Sequence, residues 1–163
     1  MQTARGEPRQ WMPRQKWDAL VAGDDCPMCA NVGQRETQYG FLVAQLEVAD
    51  LSLSKNQYAP GYCVLIYREH ATELHQLPPE KQAAFLRDLV RAGAAMARVF
   101  EADKMNYSLL GNLIPHLHWH ILPRYWGDPA PGHPLDPGGG SHFLRREEYQ
   151  GLIVELQMAL DVV

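Results

Sequence analysis

The sequence predicts an α+β fold, in which an antiparallel sheet carries a long helix and a C-terminal helix packed on it. Segments typical of strands occur at residues 39–48, 50–54 and 62–67, before any long helical pattern begins. A long amphipathic helical pattern then covers residues 78–101. Because strands and helices do not alternate along the chain, this order favours an antiparallel sheet over a parallel one.

The chain begins with a polar segment and a short helix. Residues 1–14 contain two prolines and lack an apolar core, which indicates a flexible N-terminal arm, and a single domain is expected over residues 15–163. A helix is predicted to start at residues 17–21 and to end at Gly23. Residues 26–29, which include two cysteines, are expected to follow directly in a turn.

The predicted strands differ in burial. Residues 39–48 are rich in strand-forming side chains, and residues 50–54 alternate polar and apolar ones. Residues 62–67 are almost wholly apolar, as expected of a central strand. The Asn, Pro and Gly of residues 56–61 predict a turn before that strand. A fourth strand is expected to begin at residues 106–110.

Two helices are predicted to pack on this sheet. Pro78 and Pro79 begin the first, because the missing N–H of proline has no partner in a first helical turn. Its apolar side chains recur at steps of three and four residues and form one face. That face is predicted to consist of Leu86, Leu89, Gly93, Met96 and Phe100. The second helix covers residues 145–163, with a predicted buried stripe of Tyr149, Leu152, Ile153, Leu156 and Leu160.

Length, composition and charge limit the classes of function. A chain of 163 residues suits one domain, and 46% hydrophobic with 21% charged residues is ordinary for a soluble globular protein. The net charge of −4 argues against general nucleic-acid binding, but it leaves room for a local phosphate pocket. The sequence shows neither a signal peptide nor an apolar run of roughly 20 residues, so a cytoplasmic location without membrane association is expected.

Residues 116–122, with the sequence HLHWHIL, contain the most informative pattern. Side chains alternate between the faces of a strand, so His116, His118 and His120 are predicted to share one face. An exposed polar face is one explanation, although Thr, Lys, Glu or Arg are more usual there. A metal site with these histidines as ligands is a second explanation. The third is nucleophilic attack on phosphorus by one imidazole, with a neighbouring histidine handling the proton of the leaving group.

Cys26 and Cys29 form a Cys-x-x-Cys pair, a spacing that zinc sites use. The pair is also compatible with two buried thiols or with a redox pair. Cys63 lies within a predicted strand and is expected to be a small buried hydrophobic residue. Three cysteines cannot form a dense disulfide scaffold.

The histidine segment resembles the motif of the histidine triad family, in which three histidines alternate with apolar residues and a further apolar residue follows. All seven positions of residues 116–122 fit this motif. The resemblance covers about residues 25–124, including the Pro60-Gly61 pair, His70 and the long helix. Within the family, the chain resembles the dinucleoside polyphosphate hydrolase branch, to which Pro123-Arg124 points, and the nucleoside phosphoramidase-like branch.

This resemblance implies a nucleotide hydrolase or nucleotidyl transferase that cleaves a phosphoanhydride or a phosphoramidate at the α-phosphorus. His118 would attack phosphorus and carry the nucleotidyl group, and His120 would hydrogen-bond the phosphoryl oxygens. Much of an imidazole is a neutral nucleophile at pH 7, and no catalytic metal is required. Two alternatives stay open: a low-turnover nucleotide-binding regulatory protein, and a metal-dependent hydrolase with the three histidines as ligands.

The resemblance also assigns contacts to the nucleotide substrate. Asn112 stands where the family commonly has Gln, whose amide can donate to a phosphate oxygen or to the leaving group. Leu113 stands where the family often has Ser or Thr, so a hydroxyl contact is missing. Asn106 is a candidate phosphate contact, and Arg124 is a candidate for binding either phosphate or a carboxylate. Residues 42–56 are expected to help bind the base and ribose.

Some related proteins bind a structural zinc through such a cysteine pair and two histidines. The resemblance therefore implies a zinc site formed by Cys26, Cys29, His70 and His116, in which four protein ligands leave no open position for chemistry. It further implies a homodimer formed through the long helix and a sheet edge. Residues 125–141 are rich in Pro and Gly and are expected to form a long irregular loop.

Overall fold

The computed structural model describes residues 12–162, and within them it confirms the α+β fold. Five antiparallel strands form one sheet in the order β1-β2-β3-β5-β4. The strands are β1 (Gly40–Gln45), β2 (Ala49–Ser54), β3 (Cys63–Tyr67), β4 (Lys104–Leu109) and β5 (His118–Arg124). The helices are α1 (Arg14–Ala22), α2 (Pro27–Asn31), α3 (Pro79–Val99) and α4 (Arg146–Asp161), with a 3₁₀ turn at Leu74–Gln76.

The predicted N-terminal arm falls largely outside this range. Residues 1–11 lie outside the described residues, and α1 begins at Arg14. Within residues 12–162, none of the helices combines the length and the apolar composition that a membrane crossing needs.

Helices α3 and α4 cover one face of the sheet and form the hydrophobic core with it. Leu51, Leu65 and Trp119 make one row across β2, β3 and β5, because they pair directly in register. The Trp119 ring lies 6.3 Å from the Phe85 ring of α3, measured between centroids. The side of α3 that contacts the sheet is therefore centred on Phe85.

One residue of the predicted apolar face of α3 does not belong to that face. Leu86 is 56% exposed, whereas Leu89 and Met96 are buried as predicted. Successive residues of a helix are turned by about 100°. Since Phe85 is fully buried against the sheet, the next residue is turned toward solvent.

The opposite face of the sheet carries the histidines. Val64, His120 and Ser108 pair directly across β3, β5 and β4, and Ile66 pairs with His118 in the neighbouring row. Directly paired residues of antiparallel strands point to the same face. The strand pairing therefore places both histidines on the face that α3 and α4 leave free.

Strand β5 begins later than the sequence pattern predicts. The expected strand included His116, whereas β5 begins at His118. Pro115 has no N–H to donate to a strand ladder, and the N–H of Leu117 donates to a backbone carbonyl in the segment after β3. The prediction that three histidines share one strand face is therefore wrong, since only His118 and His120 do.

Cys26 and Cys29 lie at the start of and within a short helix, rather than in a turn. Cys26 is the residue before α2, and Cys29 lies within it. Pro27 begins the helix, where a missing N–H costs no intrahelical bond. This single helical turn brings the two thiols to one side, where each lies 3.5 Å from the same ring nitrogen of His116.

Residues 125–141 form an irregular segment that is fastened at both ends. At its start, the Arg124 guanidinium donates to the Asp128 carboxylate at 2.8 Å and to several backbone carbonyls of the segment. At its end, the Asn56 amide donates to the carbonyl of Gly140 at 2.8 Å. These hydrogen bonds hold the segment beside the histidine face of the sheet.

Candidate active site and metal-ligand cluster

His118 is a buried imidazole whose protonation pattern is fixed by the main chain. Its Nδ1 lies 2.6 Å from the carbonyl oxygen of His116, and that oxygen can only accept a hydrogen bond. Nδ1 is therefore the protonated nitrogen, and Nε2 carries a lone pair. This free Nε2 lies 3.1 Å from Nε2 of His120. The arrangement suits a nucleophile and a neighbouring hydrogen-bond donor.

Burial keeps both imidazoles neutral. It lowers the pKa of His118 below its ordinary value of 6.5, although the bond to the His116 carbonyl opposes this shift. Burial, together with the nearby His118, lowers the pKa of His120 to about 4. Neutral rings at pH 7 leave the lone pair of His118 available for attack.

Tyr62 is a third member of this group, and the sequence patterns do not single it out. Its hydroxyl lies 2.6 Å from Nδ1 of His120. Burial raises the pKa of this phenol, so the hydroxyl keeps its proton at neutral pH. A signal is nevertheless present in the sequence, because Tyr62, Val64 and Ile66 alternate with the buried core residues of β3.

Two cavities meet at His120. The first has a volume of about 380 Å³ and is lined by polar side chains from β2 and its following turn, including Asp50, Ser52 and Asn56. These residues belong to the segment that is expected to bind base and ribose. The second cavity, of about 570 Å³, is lined by His118 as well as His120. A group held between the two cavities would lie beside both histidines.

The three residues predicted to contact the substrate do not lie together: one lines the second cavity, and two line a neighbouring depression. Asn112 lines the second cavity together with His118 and His120. Asn106 and Arg124 instead bond to each other at 2.8 Å and line a neighbouring depression. Of the two predicted partners of Arg124, phosphate or a carboxylate, the structure shows a carboxylate, that of Asp128 (see above).

The second cavity is walled mainly by apolar side chains, which belong to Met28, Leu110, Leu113, Ile114, Leu122 and Leu135. Among the described residues that line it, none is a lysine or an arginine, and Asp136 contributes a carboxylate. Leu113 is 66% exposed at the rim. The cavity is therefore suited to an uncharged group.

The four predicted metal ligands come together in one cluster. One ligand atom from each of Cys26, Cys29, His70 and His116 lies within 4.8 Å of all the others. Nε2 of His70 bonds to the Val21 carbonyl at 3.1 Å, and Nε2 of His116 bonds to a β3 carbonyl at 2.7 Å. Since carbonyls accept, Nδ1 of each ring carries the lone pair, and both lone pairs face the thiols.

Two sulfur and two nitrogen donors form a set that fits a zinc ion. Burial and the neighbouring Cys26 raise the pKa of the Cys29 thiol to about 11, and a dication is what would stabilise two adjacent thiolates. Gly23, with φ of 90°, ends α1 and packs on the His70 ring. The cluster therefore connects α1 and α2 to the segment after β3, which contains His70, and to the segment before β5, which contains His116.

The other histidines and the third cysteine lie apart from both sites. His75 is exposed in the 3₁₀ turn, and His133 lines the depression beside Arg124. The backbone N–H of His142 donates to the Asn56 side chain. Cys63 is fully buried in β3.

Comparisons with known proteins agree with the fold. Residues 35–127 match the HIT domain family. A histidine triad protein from Marinobacter aquaeolei is 28% identical, with a TM-score of 0.68 over 76% of this chain and 90% of that one. One from Bradyrhizobium japonicum is 27% identical, with a TM-score of 0.69 over 76% and 92%. A zinc-bound histidine triad family protein from Mycobacterium smegmatis shares the fold at 22% identity, with a TM-score of 0.62 over 85% and 94%.

Proposed function

This chain belongs to the histidine triad (HIT) family, and from that premise we propose that it is a nucleotide hydrolase or nucleotidyl transferase. The bond cleaved is a phosphoanhydride or a phosphoramidate at the α-phosphorus. The observation that carries the proposal is the unprotonated Nε2 of His118, which lies 3.1 Å from Nε2 of His120, in a cavity that both histidines line.

The first step is attack by Nε2 of His118 on the α-phosphorus. The new N–P bond forms as the bond from phosphorus to the leaving group breaks. Nδ1–H stays bonded to the His116 carbonyl, so the ring keeps its orientation while it reacts. His120, whose Nε2–H points toward the attacking nitrogen, is placed to donate to a phosphoryl oxygen as negative charge develops there.

The second step releases the nucleotide from His118. Water or another acceptor attacks phosphorus, and the N–P bond breaks to restore the free imidazole. In hydrolysis one water is consumed overall: its hydroxyl ends on phosphorus and its hydrogen on the leaving group.

The first cavity is the proposed nucleoside site. Asp50 and Ser52 offer oxygen atoms that can accept hydrogen bonds from a ribose or a base edge, and the Tyr62 ring adds apolar surface. Because His120 also lines this cavity, a nucleoside held there places its α-phosphate at the histidines.

Zinc is the proposed resident metal of the cluster formed by Cys26, Cys29, His70 and His116. Two thiolates and two imidazoles are ligands that zinc prefers, and four of them leave no position for water or substrate. When bound, the ion supplies a structural cross-link between α2 and the segment that leads into β5.

The proposed assembly is a homodimer through α3 and the sheet edge at β4. Leu86 and Val90 lie one turn apart on α3 and are 56% and 62% exposed. Tyr107 on the outer strand β4 is 43% exposed beside them, against Gly93 of α3. A stripe of exposed large apolar side chains favours an interface.

A metal-dependent hydrolase with all three histidines as ligands is disfavoured. His116 turns its ring toward the thiols, whereas His118 uses its Nδ1 for a backbone carbonyl. The three rings therefore do not converge on one point. A measurement of turnover distinguishes the enzyme from the alternative, a nucleotide-binding regulatory protein that turns over little.

Turnover assays with His118→Ala test the proposal. The chain is incubated with dinucleoside polyphosphates and with adenosine phosphoramidates, with and without a chelator. We expect release of a nucleoside monophosphate that survives brief chelation and is lost in His118→Ala. His75→Ala, an exposed histidine outside the site, is the matched control and keeps the activity. Turnover by His118→Ala at the parental rate would overturn the mechanism, and tight nucleotide binding without turnover by the parent would favour the regulatory protein.

A further inference from the structure

Tyr62 presents a buried hydroxyl that the proposed reaction does not use. The residue is 9% exposed, and its ring lies nearly parallel to that of His120 with centroids 5.9 Å apart. Its backbone N–H donates to the Ala59 carbonyl, and its carbonyl accepts from the Ser54 N–H, both at 3.1 Å. These backbone hydrogen bonds therefore fix the position from which the Tyr62 hydroxyl contacts Nδ1 of His120.

The hydrogen bonds leave only one consistent arrangement of protons. Nε2 of His118 has no proton, so its 3.1 Å contact with Nε2 of His120 requires an N–H on the latter. A neutral imidazole carries one N–H, which makes Nδ1 of His120 an acceptor. The Tyr62 hydroxyl fills that role at 2.6 Å. The donors therefore run in one direction, from Tyr62 through His120 to His118.

Removal of the Tyr62 hydroxyl would allow His120 to take the opposite tautomer. Within residues 12–162, that hydroxyl is the hydrogen-bond partner of Nδ1 of His120. If His120 took the opposite tautomer, its Nε2 lone pair would face the Nε2 lone pair of His118 across 3.1 Å. The N–H proposed to bond the phosphoryl oxygen would then point toward position 62 instead.

We propose that Tyr62 is a positioning residue that fixes the Nε2–H tautomer of His120 and directs this N–H toward the reacting phosphate. The kinetic part of the inference rests on the proposed function, whereas the tautomer itself does not. Tyr62 also lines the first cavity, so a direct contact with the nucleoside is the competing role. A nucleoside contact acts mainly on KM, whereas positioning of His120 acts mainly on kcat.

Nitrogen-15 NMR of the histidine side chains tests the tautomer without any substrate. In the parent we expect His120 to be protonated at Nε2 and His118 at Nδ1. In Tyr62→Phe, which keeps the ring and removes the oxygen, His120 is expected to populate the Nδ1–H form. Tyr58→Phe is the matched control, since Tyr58 lies outside both cavities, and its spectrum should equal that of the parent. A parental His120 protonated at Nδ1, or an unchanged tautomer in Tyr62→Phe, would overturn the inference.

A double-mutant cycle tests the kinetic consequence. We expect Tyr62→Phe to lower kcat by about tenfold or more with little change in KM, because a misdirected N–H loses its transition-state contact. In a His120→Gln background the same change should have little further effect, since the imidazole it orients is gone. Additive losses, or a change confined to KM, would contradict positioning. Release of nucleotide that does not depend on His118 would overturn the proposed function instead, and the NMR result would still decide the tautomer.

Discussion

Nδ1 of His118 donates a hydrogen bond to the backbone carbonyl of His116 at 2.6 Å, and the imidazole of that same His116 belongs to the metal-ligand cluster. One residue therefore orients the reactive imidazole with its main chain and contributes a ligand atom with its side chain. A change in the cluster can therefore alter the orientation of His118 through this one hydrogen bond. Hydrogen bonds around metal ligands commonly couple a metal site to its surroundings in this way.

Loss of a thiol ligand is expected to remove the metal. Cys26→Ser should abolish stoichiometric zinc binding and lower the melting temperature, because the metal cross-link contributes to folding free energy. Metal analysis of the purified chain and thermal unfolding measure both effects. Cys63→Ala is the matched control, since Cys63 is fully buried in β3 and lies outside the cluster. Parental zinc content in Cys26→Ser would remove the site assignment.

The second cavity is expected to select against a charged leaving group. A polyphosphate would bring negative charge beside Asp136 without a basic side chain among the described residues that line the cavity. We predict a higher kcat/KM for the phosphoramidate of an uncharged amine than for a dinucleoside polyphosphate. Leu113→Lys at the exposed rim should raise kcat/KM for the dinucleotide by about fivefold. Val154→Lys on α4 supplies the same charge elsewhere, and an equal gain there would contradict a local effect.

The stability of the fold is expected to fall in mild acid. His120 has a pKa of about 4 in the folded chain, below the ordinary value of 6.5. Between these values the unfolded chain binds a proton that the folded chain does not, so the free energy of unfolding decreases as pH falls through this window. Urea unfolding at a series of pH values measures the slope. His120→Gln should show a shallower decrease, and a slope equal to that of the parent would argue against this contribution.

A buried carboxylate connects α3 to the turn between β1 and β2. Asp88 is 3% exposed and accepts the backbone N–H groups of Glu47, Val48 and Ala49 at 2.8 to 3.0 Å. Asp88→Ala leaves these donors without partners and is expected to lower the free energy of unfolding by about 3 kcal/mol. Chemical denaturation measures the loss. Asp88→Asn retains one oxygen acceptor, so its loss should be smaller, and equal losses would contradict the hydrogen-bond explanation.

Local patterns in the sequence predicted the strands and the long helices of the fold, and they singled out several candidate site residues. The alternation around His118 and His120 predicted a strand with both rings on one face, because strand geometry alone determines this. The spacing of Cys26 and Cys29 predicted two neighbouring thiols, but it left zinc ligands, metal-free buried thiols and a redox pair as alternatives. The start of β5 shows the limit of such patterns. The alternation of histidines and apolar residues includes His116, but the strand after Pro115 begins only at His118.

Contacts between distant segments were not predictable from local patterns. Tyr62 lies 58 residues from its partner His120, and Asp88 lies about 40 residues from the turn that it caps. Only the register of β3 against β5 brings Tyr62 toward His120. The sequence left phosphate and a carboxylate as possible partners of Arg124, and the contact with Asp128 becomes visible only in the folded chain.

The proposed dimer interface is expected to be sensitive to charge. Val90 is 62% exposed on the stripe that includes Leu86, one turn away on α3. In a twofold interface Val90→Glu would bury a carboxylate without a partner, so the variant is expected to sediment as a monomer while the parent sediments as a dimer. Met158→Glu is the matched control, since Met158 is 58% exposed on α4 and should stay dimeric. A monomeric parent would overturn the assembly, and a dimeric Val90→Glu would exclude this stripe as its interface.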